Sequence, residues 1–131
     1  MNGLEMFSLK GRTALVTGAS RGIGEALCVA LARAGADIIG VARSPESLAP
    51  VGKEVERAGC RFHALACDVA DVGSIEGLFA TLREMDLTPE ILVNNAGMEQ
   101  VAPSLDVSES LWDRIVDTNL KGAFFVARGF V

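Results

Sequence analysis

The sequence predicts an α/β protein, a doubly wound parallel sheet with helices on both faces. Short apolar runs alternate along the chain with segments of helical periodicity, which is the layout of repeated strand–helix units. The apolar runs, such as Ala14-Leu15-Val16 and Ile38-Ile39, are continuous, as expected of parallel strands buried on both sides. A glycine-rich turn, Thr17-Gly18-Ala19-Ser20-Arg21-Gly22-Ile23-Gly24, joins the first run to the first periodic segment.

Each element follows in order. The first strand covers about Thr13–Thr17 and its helix about Gly22–Ala34, with Ile23, Ala26, Leu27, Ala30, Leu31 and Ala34 as the apolar positions. Gly35 ends that helix in the usual C-terminal way. Strand two is Asp37–Ala42. Ser44-Pro45 reads as an N-cap with proline in the first turn, and Leu48, Val51, Val55 and Ala58 stripe the helix that Gly59 stops. Strand three is Arg61–Cys67, and Val72, Ile75, Leu78, Phe79 and Leu82 mark a third amphipathic helix. Strand four is Ile91–Asn94. After a loop from Gly97 to Val107, a last helical segment starts near Ser108, runs through Trp112, Ile115 and Val116, and bends near Asn119. Right-handed crossovers then give the strand order 3-2-1-4. The crevice between strands one and four is the topological switch point, where a ligand belongs.

Composition narrows the function classes. Half of the 131 residues are hydrophobic and 22% are charged, the balance of a globular domain. A net charge of −5 argues against nucleic acid or an anionic membrane as main partner. No apolar run approaches the roughly 20 residues of a membrane span. Met1 to Lys10 lack the basic start and apolar centre of a signal peptide. Cys28, Cys60 and Cys67 lack metal-site spacing and read as free thiols, so no metal is expected and a reducing cytoplasm is the expected location. His63, the only histidine, reads as a sheet residue.

The glycine turn carries the chemistry. One glycine lets the chain leave the strand sharply, one lets backbone approach a phosphate, and one lets the helix pack closely on the strand. The free N–H groups and positive dipole end of the helix then face a dinucleotide pyrophosphate. Gly18, Gly22, Ile23 and Gly24 form the expected cradle, Ile23 through its backbone while its side chain packs in the core. At the end of strand two, where a carboxylate would select NAD, stands Ala42-Arg43, and Ser20-Arg21 lies in the turn. Two guanidinium groups suit a 2′-phosphate. NADP is the favoured cofactor and NAD the alternative, with two solvated surface arginines as the bland reading.

Three further motifs stand in order: Asp68-Val69, Asn94-Asn95-Ala96-Gly97 and Asp117-Thr118-Asn119-Leu120. With the glycine turn they resemble the short-chain dehydrogenase/reductase family over nearly the whole chain, from about Leu9. The resemblance implies a Rossmann-like fold and hydride transfer between a nicotinamide cofactor and a small-molecule carbonyl or alcohol. It implies that Asp68 bonds the adenine amino group and the Val69 N–H a ring nitrogen. It implies that Asn95 ties neighbouring strands together, that Ala96 and Gly97 leave space for a ribose, and that the Asn119 carbonyl holds a water of the proton relay. The opening Phe7-Ser8-Leu9-Lys10-Gly11-Arg12 is similar to sugar-acid dehydrogenases of the gluconate 5-dehydrogenase kind. The substrate expectation is a sugar acid or small ketone, with a 3-oxoacyl compound as alternative.

The family's acid/base pair is a tyrosine with a lysine four residues later, where the cation lowers a phenol pKa of about 10. This chain contains no tyrosine. Residues 1–131 therefore read as a single cofactor-binding domain truncated before strand five, inactive alone. A tetramer is expected only of a full-length form. The rival reading is a non-catalytic dinucleotide-binding or redox-sensing module.

Overall fold

The structure, a computed structural model, describes residues 3–131. Four parallel strands form one sheet in the order β3-β2-β1-β4: β1 Thr13–Thr17, β2 Asp37–Ala42, β3 Phe62–Ala66 and β4 Ile91–Val93. The register sets Leu15 beside Ile39 on one side and Leu92 on the other, with Ile39 beside His63. The intervening helices are α1 Gly22–Arg33, α2 Ala49–Arg57 and α3 Val72–Glu84, and α4 Glu109–Val116 and α5 Gly122–Phe130 follow β4.

Alternating side chains of the central strands feed two separate cores. Ala14, Val16 and Ile38 pack with Cys28 and Ala32 of α1 and Val51 and Val55 of α2. Leu15, Ile39 and Val41 pack on the other face with Ile75, Leu78 and Leu82 of α3 and Val126 of α5. The sheet is thus covered on both sides, as its continuous apolar strands predict.

The first helix turns a different face inward from the one its large apolar residues suggest. Gly24, Cys28 and Ala32 are its buried residues, while Ala26 and Ala30 are exposed. Close approach decides this: a Cβ on Gly24 would stand 2.0 Å from the Gly18 carbonyl oxygen, so α1 packs on the turn through its smallest residues. Ile23 is 72% exposed and packs in no core, correcting that expectation for its side chain. Trp112, read from sequence as an apolar position of the last helical segment, is also exposed, and Leu111 is the buried residue of α4.

The helix after β2 begins as a 3-10 turn, Pro45–Leu48, before α2 proper. Ser44 does not cap it; its hydroxyl donates to Glu46 Oε2 (2.7 Å), which holds that carboxyl below its usual range. Asp71 caps α3 by accepting from the N–H groups of Gly73 (2.9 Å) and Ser74 (3.4 Å). The bend near Asn119 is a π-helical segment, Asp117–Lys121, continuous with α4 and α5. Gly122 follows it, where a Cβ would come within 2.3 Å of the Val69 carbonyl oxygen.

Candidate functional site

The site is built on the C-terminal ends of the strands. Thr17 closes β1 as the one fully buried polar residue among those described. Its Oγ1 accepts from the N–H groups of Asn95 (3.0 Å) and Ala96 (2.9 Å) and donates to the Val93 carbonyl (3.5 Å). Asn95 Nδ2 returns the tie by donating to the Thr17 (3.2 Å) and Gly18 (3.1 Å) carbonyls. These bonds lock the end of β1 to the turn after β4, so the two walls of the crevice hold a fixed separation.

The three glycines of the turn divide their work. Gly18 has φ +62° and lies so close to β4 that a Cβ would meet Ala96 Cα at 2.9 Å. Gly24 permits the helix contact described above. Gly22 has φ +59° and no atom within 4 Å of where its Cβ would stand. Packing does not explain that third glycine; its left-handed φ does, and the space above it at the start of α1 is open.

A cleft of about 280 Å³ opens over these strand ends. Gly18, Ser20 and Arg21 line it from the turn, Val41, Ala42 and Arg43 from the end of β2, and Cys67, Asp68 and Val69 from the end of β3. Asn95, Ala96, Gly97 and Met98 line it after β4, and Thr118 closes the far end. Gly22, Ile23, Gly24 and Asn119 are not among its lining residues. Asp68 is exposed; its Oδ1 accepts from the Ala70 N–H (3.0 Å) and its own N–H donates to Ser74 Oγ (2.9 Å). It belongs to the turn before α3 rather than starting that helix.

Asn119 acts behind the lining. Its Oδ1 accepts from the Met98 N–H (3.1 Å), and its Nδ2 donates to the Met98 (2.7 Å) and Ile115 (2.9 Å) carbonyls. Gly97 makes room for this clasp, since a Cβ there would stand 2.6 Å from Asn119 Oδ1. Asn94 Nδ2 donates to the Ala123 carbonyl (2.7 Å), a second tie between the turn and the last helix.

Thr17, Thr118 and Cys67 are site residues to which sequence reasoning gave no part in the site. The signal for Thr17 was available: a hydroxyl ending an apolar strand directly before the glycine turn. Burial pushes the Cys67 thiol above its ordinary value, partly offset by Ser74 Oγ at 3.6 Å. Burial, reinforced by Glu25, pushes Cys28 up to about 12.

The fit to a dinucleotide rests on these features. The Gly22 position is open where a side chain would fill it, and the guanidinium residues Arg21 and Arg43 line the cleft with no carboxylate at the C-terminal end of β2. Among the lining residues the one carboxylate is Asp68, in the turn between β3 and α3. Among the described residues no three His, Cys, Asp or Glu gather to hold a metal ion. No described helix is long and apolar enough to cross a membrane.

Known proteins share this arrangement. A 2-dehydro-3-deoxy-D-gluconate 5-dehydrogenase of Pseudoalteromonas atlantica is 42% identical over 95% of this chain and 50% of its own length. A metagenomic short-chain oxidoreductase solved in complex with NADP is 34% identical, with TM-score 0.87 over 92% of this chain and 55% of that one. L-sorbose reductase from Gluconobacter frateurii, solved with NADPH and L-sorbose, is 30% identical, with TM-score 0.88 over 95% of this chain and 48% of that one. The chain thus spans about half the length of the relatives it matches. The short chain dehydrogenase family model matches residues 12–131. With the glycine turn, the Asn95 tie and the cleft they frame, the chain belongs to the short-chain dehydrogenase family.

Proposed function

We propose that this chain is the cofactor-binding half of an oxidoreductase that moves hydride between NADP(H) and a carbonyl or alcohol substrate. The observation that carries the reading is the cleft itself, where Arg21 and Arg43 flank the end of β2 and Gly22 leaves open space at the start of α1. The cofactor supplies the hydride chemistry when bound; the protein supplies binding and orientation. In this reading the turn from Gly18 through Ser20, Arg21, Gly22, Ile23 and Gly24 holds the pyrophosphate. Asp68 and the Val69 N–H hold the adenine, and Ala96 and Gly97 give the ribose room beside backbone. Asn95 braces the strand ends, and the Asn119 carbonyl supports a proton relay completed by a serine, tyrosine and lysine beyond this chain. Kinship with sugar-acid dehydrogenases supports a hydroxylated substrate. The exposed ridge of Trp112, Leu120 and Phe124 along α4 and α5 supports a homo-oligomer of the full-length form. A cytoplasmic location accords with the three free thiols.

The test is a titration of NADPH and NADH against the wild type, Arg43→Ala and Ala42→Asp at one salt concentration. Charge-assisted contacts to phosphate contribute about 1.5–3 kcal/mol. Arg43→Ala is therefore expected to weaken NADPH about tenfold or more and leave NADH nearly unchanged. Ala42→Asp is expected to favour NADH, since it repels a 2′-phosphate and offers the 2′-hydroxyl an acceptor. Equal losses for both cofactors in Arg43→Ala would remove the 2′-phosphate role.

The absence of tyrosine favours one second reading, a dinucleotide-binding or redox-sensing module without catalysis. Turnover decides between them. The 131-residue chain alone is expected to consume no NADPH with any ketone, and the full-length protein is expected to do so. A full-length protein that binds NADPH and turns nothing over would establish the module.

A further inference from the structure

Resting on the oxidoreductase reading, we propose that Thr118 is a further cofactor-binding residue, whose hydroxyl holds the adenosine half of the dinucleotide and so strengthens NADP(H) and NAD(H) binding alike. The glycine turn and the ends of β2, β3 and β4 each bring several residues to the cleft. Among the described residues Thr118 is the one that lines it from the helices after β4.

The backbone that carries Thr118 is fixed on two sides. It belongs to the π-helical segment Asp117–Lys121, whose wider turn changes which neighbouring residues share a face. The next residue, Asn119, clasps both the N–H and the carbonyl of Met98. One turn further on, Gly122 lies so close to the turn after β3 that a Cβ would stand 2.3 Å from the Val69 carbonyl oxygen. The segment therefore braces the wall after β4 against the turn after β3, and Thr118 stands beside both braces. In the oxidoreductase reading those two places hold adenosine: Asp68 and Val69 take the adenine, and Ala96 and Gly97 give the ribose room.

The hydroxyl itself is unspent. A threonine inside a helix can satisfy its hydroxyl on the carbonyl three or four residues earlier. Asn119 makes the equivalent bond, from Nδ2 to the Ile115 carbonyl (2.9 Å). No hydrogen bond among the described residues uses the Thr118 hydroxyl. Every buried side-chain nitrogen and oxygen among those residues has a partner, so this free hydroxyl is open to solvent, on a half-buried residue that lines the cleft. Thr17 is the contrast, with its hydroxyl bonded to Val93, Asn95 and Ala96. A hydroxyl both donates and accepts, which suits the ribose hydroxyls and ring nitrogens of adenosine. Adenosine is common to both nicotinamide cofactors, so this contact adds affinity without selecting between them, unlike a guanidinium that reads a 2′-phosphate.

The test titrates the full-length protein and its Thr118→Val and Thr118→Ser variants with NADPH, NADH and 5′-AMP, beside urea unfolding. Thr118→Val keeps the shape and removes the hydroxyl. It is expected to weaken all three ligands by one common factor, about three- to tenfold, while Thr118→Ser stays within about twofold of wild type. The urea midpoint is expected to hold in both variants, since the hydroxyl bonds nothing among the described residues. Unchanged affinities in Thr118→Val overturn the proposal, as does a fall in urea midpoint that accounts for the loss of binding. A loss confined to NADPH places Thr118 at the 2′-phosphate, and a loss for both dinucleotides with 5′-AMP unchanged places it at the nicotinamide; either overturns the proposal. Each of these outcomes leaves the oxidoreductase reading standing, whereas a wild type that binds neither NADPH nor NADH overturns both.

Discussion

At the scale of single residues, glycines with similar backbone angles do different work. Gly22 and Gly59 both have positive φ, +59° and +87°, and both face open space where a Cβ would stand. A branched side chain is strained at either, costing about 1–3 kcal/mol. Only Gly22 starts α1, the helix proposed to face the pyrophosphate. Gly22→Val is expected to abolish NADPH binding, whereas Gly59→Val shows a similar loss of stability with binding retained, as read by fluorescence titration beside urea unfolding. Thr17 is the opposite case, a residue whose side chain is indispensable. Thr17→Val keeps the shape but strips the acceptor from the Asn95 and Ala96 N–H groups. The expected cost is about 1–3 kcal/mol in urea unfolding, with cofactor affinity reduced in the fraction that remains folded. The buried thiols give a pH dependence. Cys28 has its pKa raised from an ordinary 9.0 to about 12, so the folded state favours the neutral thiol. Its stabilising contribution is complete below pH 9 and is lost as pH rises towards 12. Thermal unfolding followed from pH 8 upward is expected to show falling Tm across that window, with a shallower fall in Cys28→Ala.

At the scale of elements, the start and end of α5 fit closely against the segment after β3 and against α3. Gly122 and Gly129 both sit where a Cβ would collide, with the Val69 carbonyl oxygen at 2.3 Å and with the Phe79 ring at 2.5 Å. The first collision is with backbone, which cannot rotate away; the second is with a ring near the edge of the core. Gly122→Ala is therefore expected to destabilise by about 1–3 kcal/mol and by more than Gly129→Ala, measured as the shift in urea midpoint. The strands were legible to within a residue at each end because continuous apolar runs flanked by turn residues have few other readings. The helix faces were less legible. Ile23 and Trp112 are large and apolar yet exposed, because the inward face of α1 is set by how closely Gly24 must approach a carbonyl, and that of α4 by Leu111. The start of α2 was misplaced because a proline at Pro45 is compatible with either a 3-10 or an α turn. Much of the cleft lining was readable from the motifs, since Gly18, Arg21, Arg43, Asp68 and Ala96 all line it. The clasp of Asn119 on Met98 was not, because it joins residues 21 apart through a side-chain amide that no local pattern encodes.

At the scale of the whole molecule, β4 is the feature with the widest reach. It is three residues long, pairs among the described residues with β1 alone, and its residues are half-buried where those of β1 are almost wholly buried. The same short strand positions the Asn95–Gly97 wall of the cleft. β4 and β3 are the outer strands of the four-stranded sheet, so the amides of 91–97 are expected to exchange before those of the β1–β2 centre. A ligand that occupies the cleft binds only the closed form, so it draws down the open population. Saturating NADPH is expected to slow deuterium uptake at residues 91–97 far more than at the centre of β1. In this architecture cofactor occupancy would therefore be written into the exchange lifetime of an edge, and that lifetime, rather than any change of shape, would be the chain's signal that its cleft is filled.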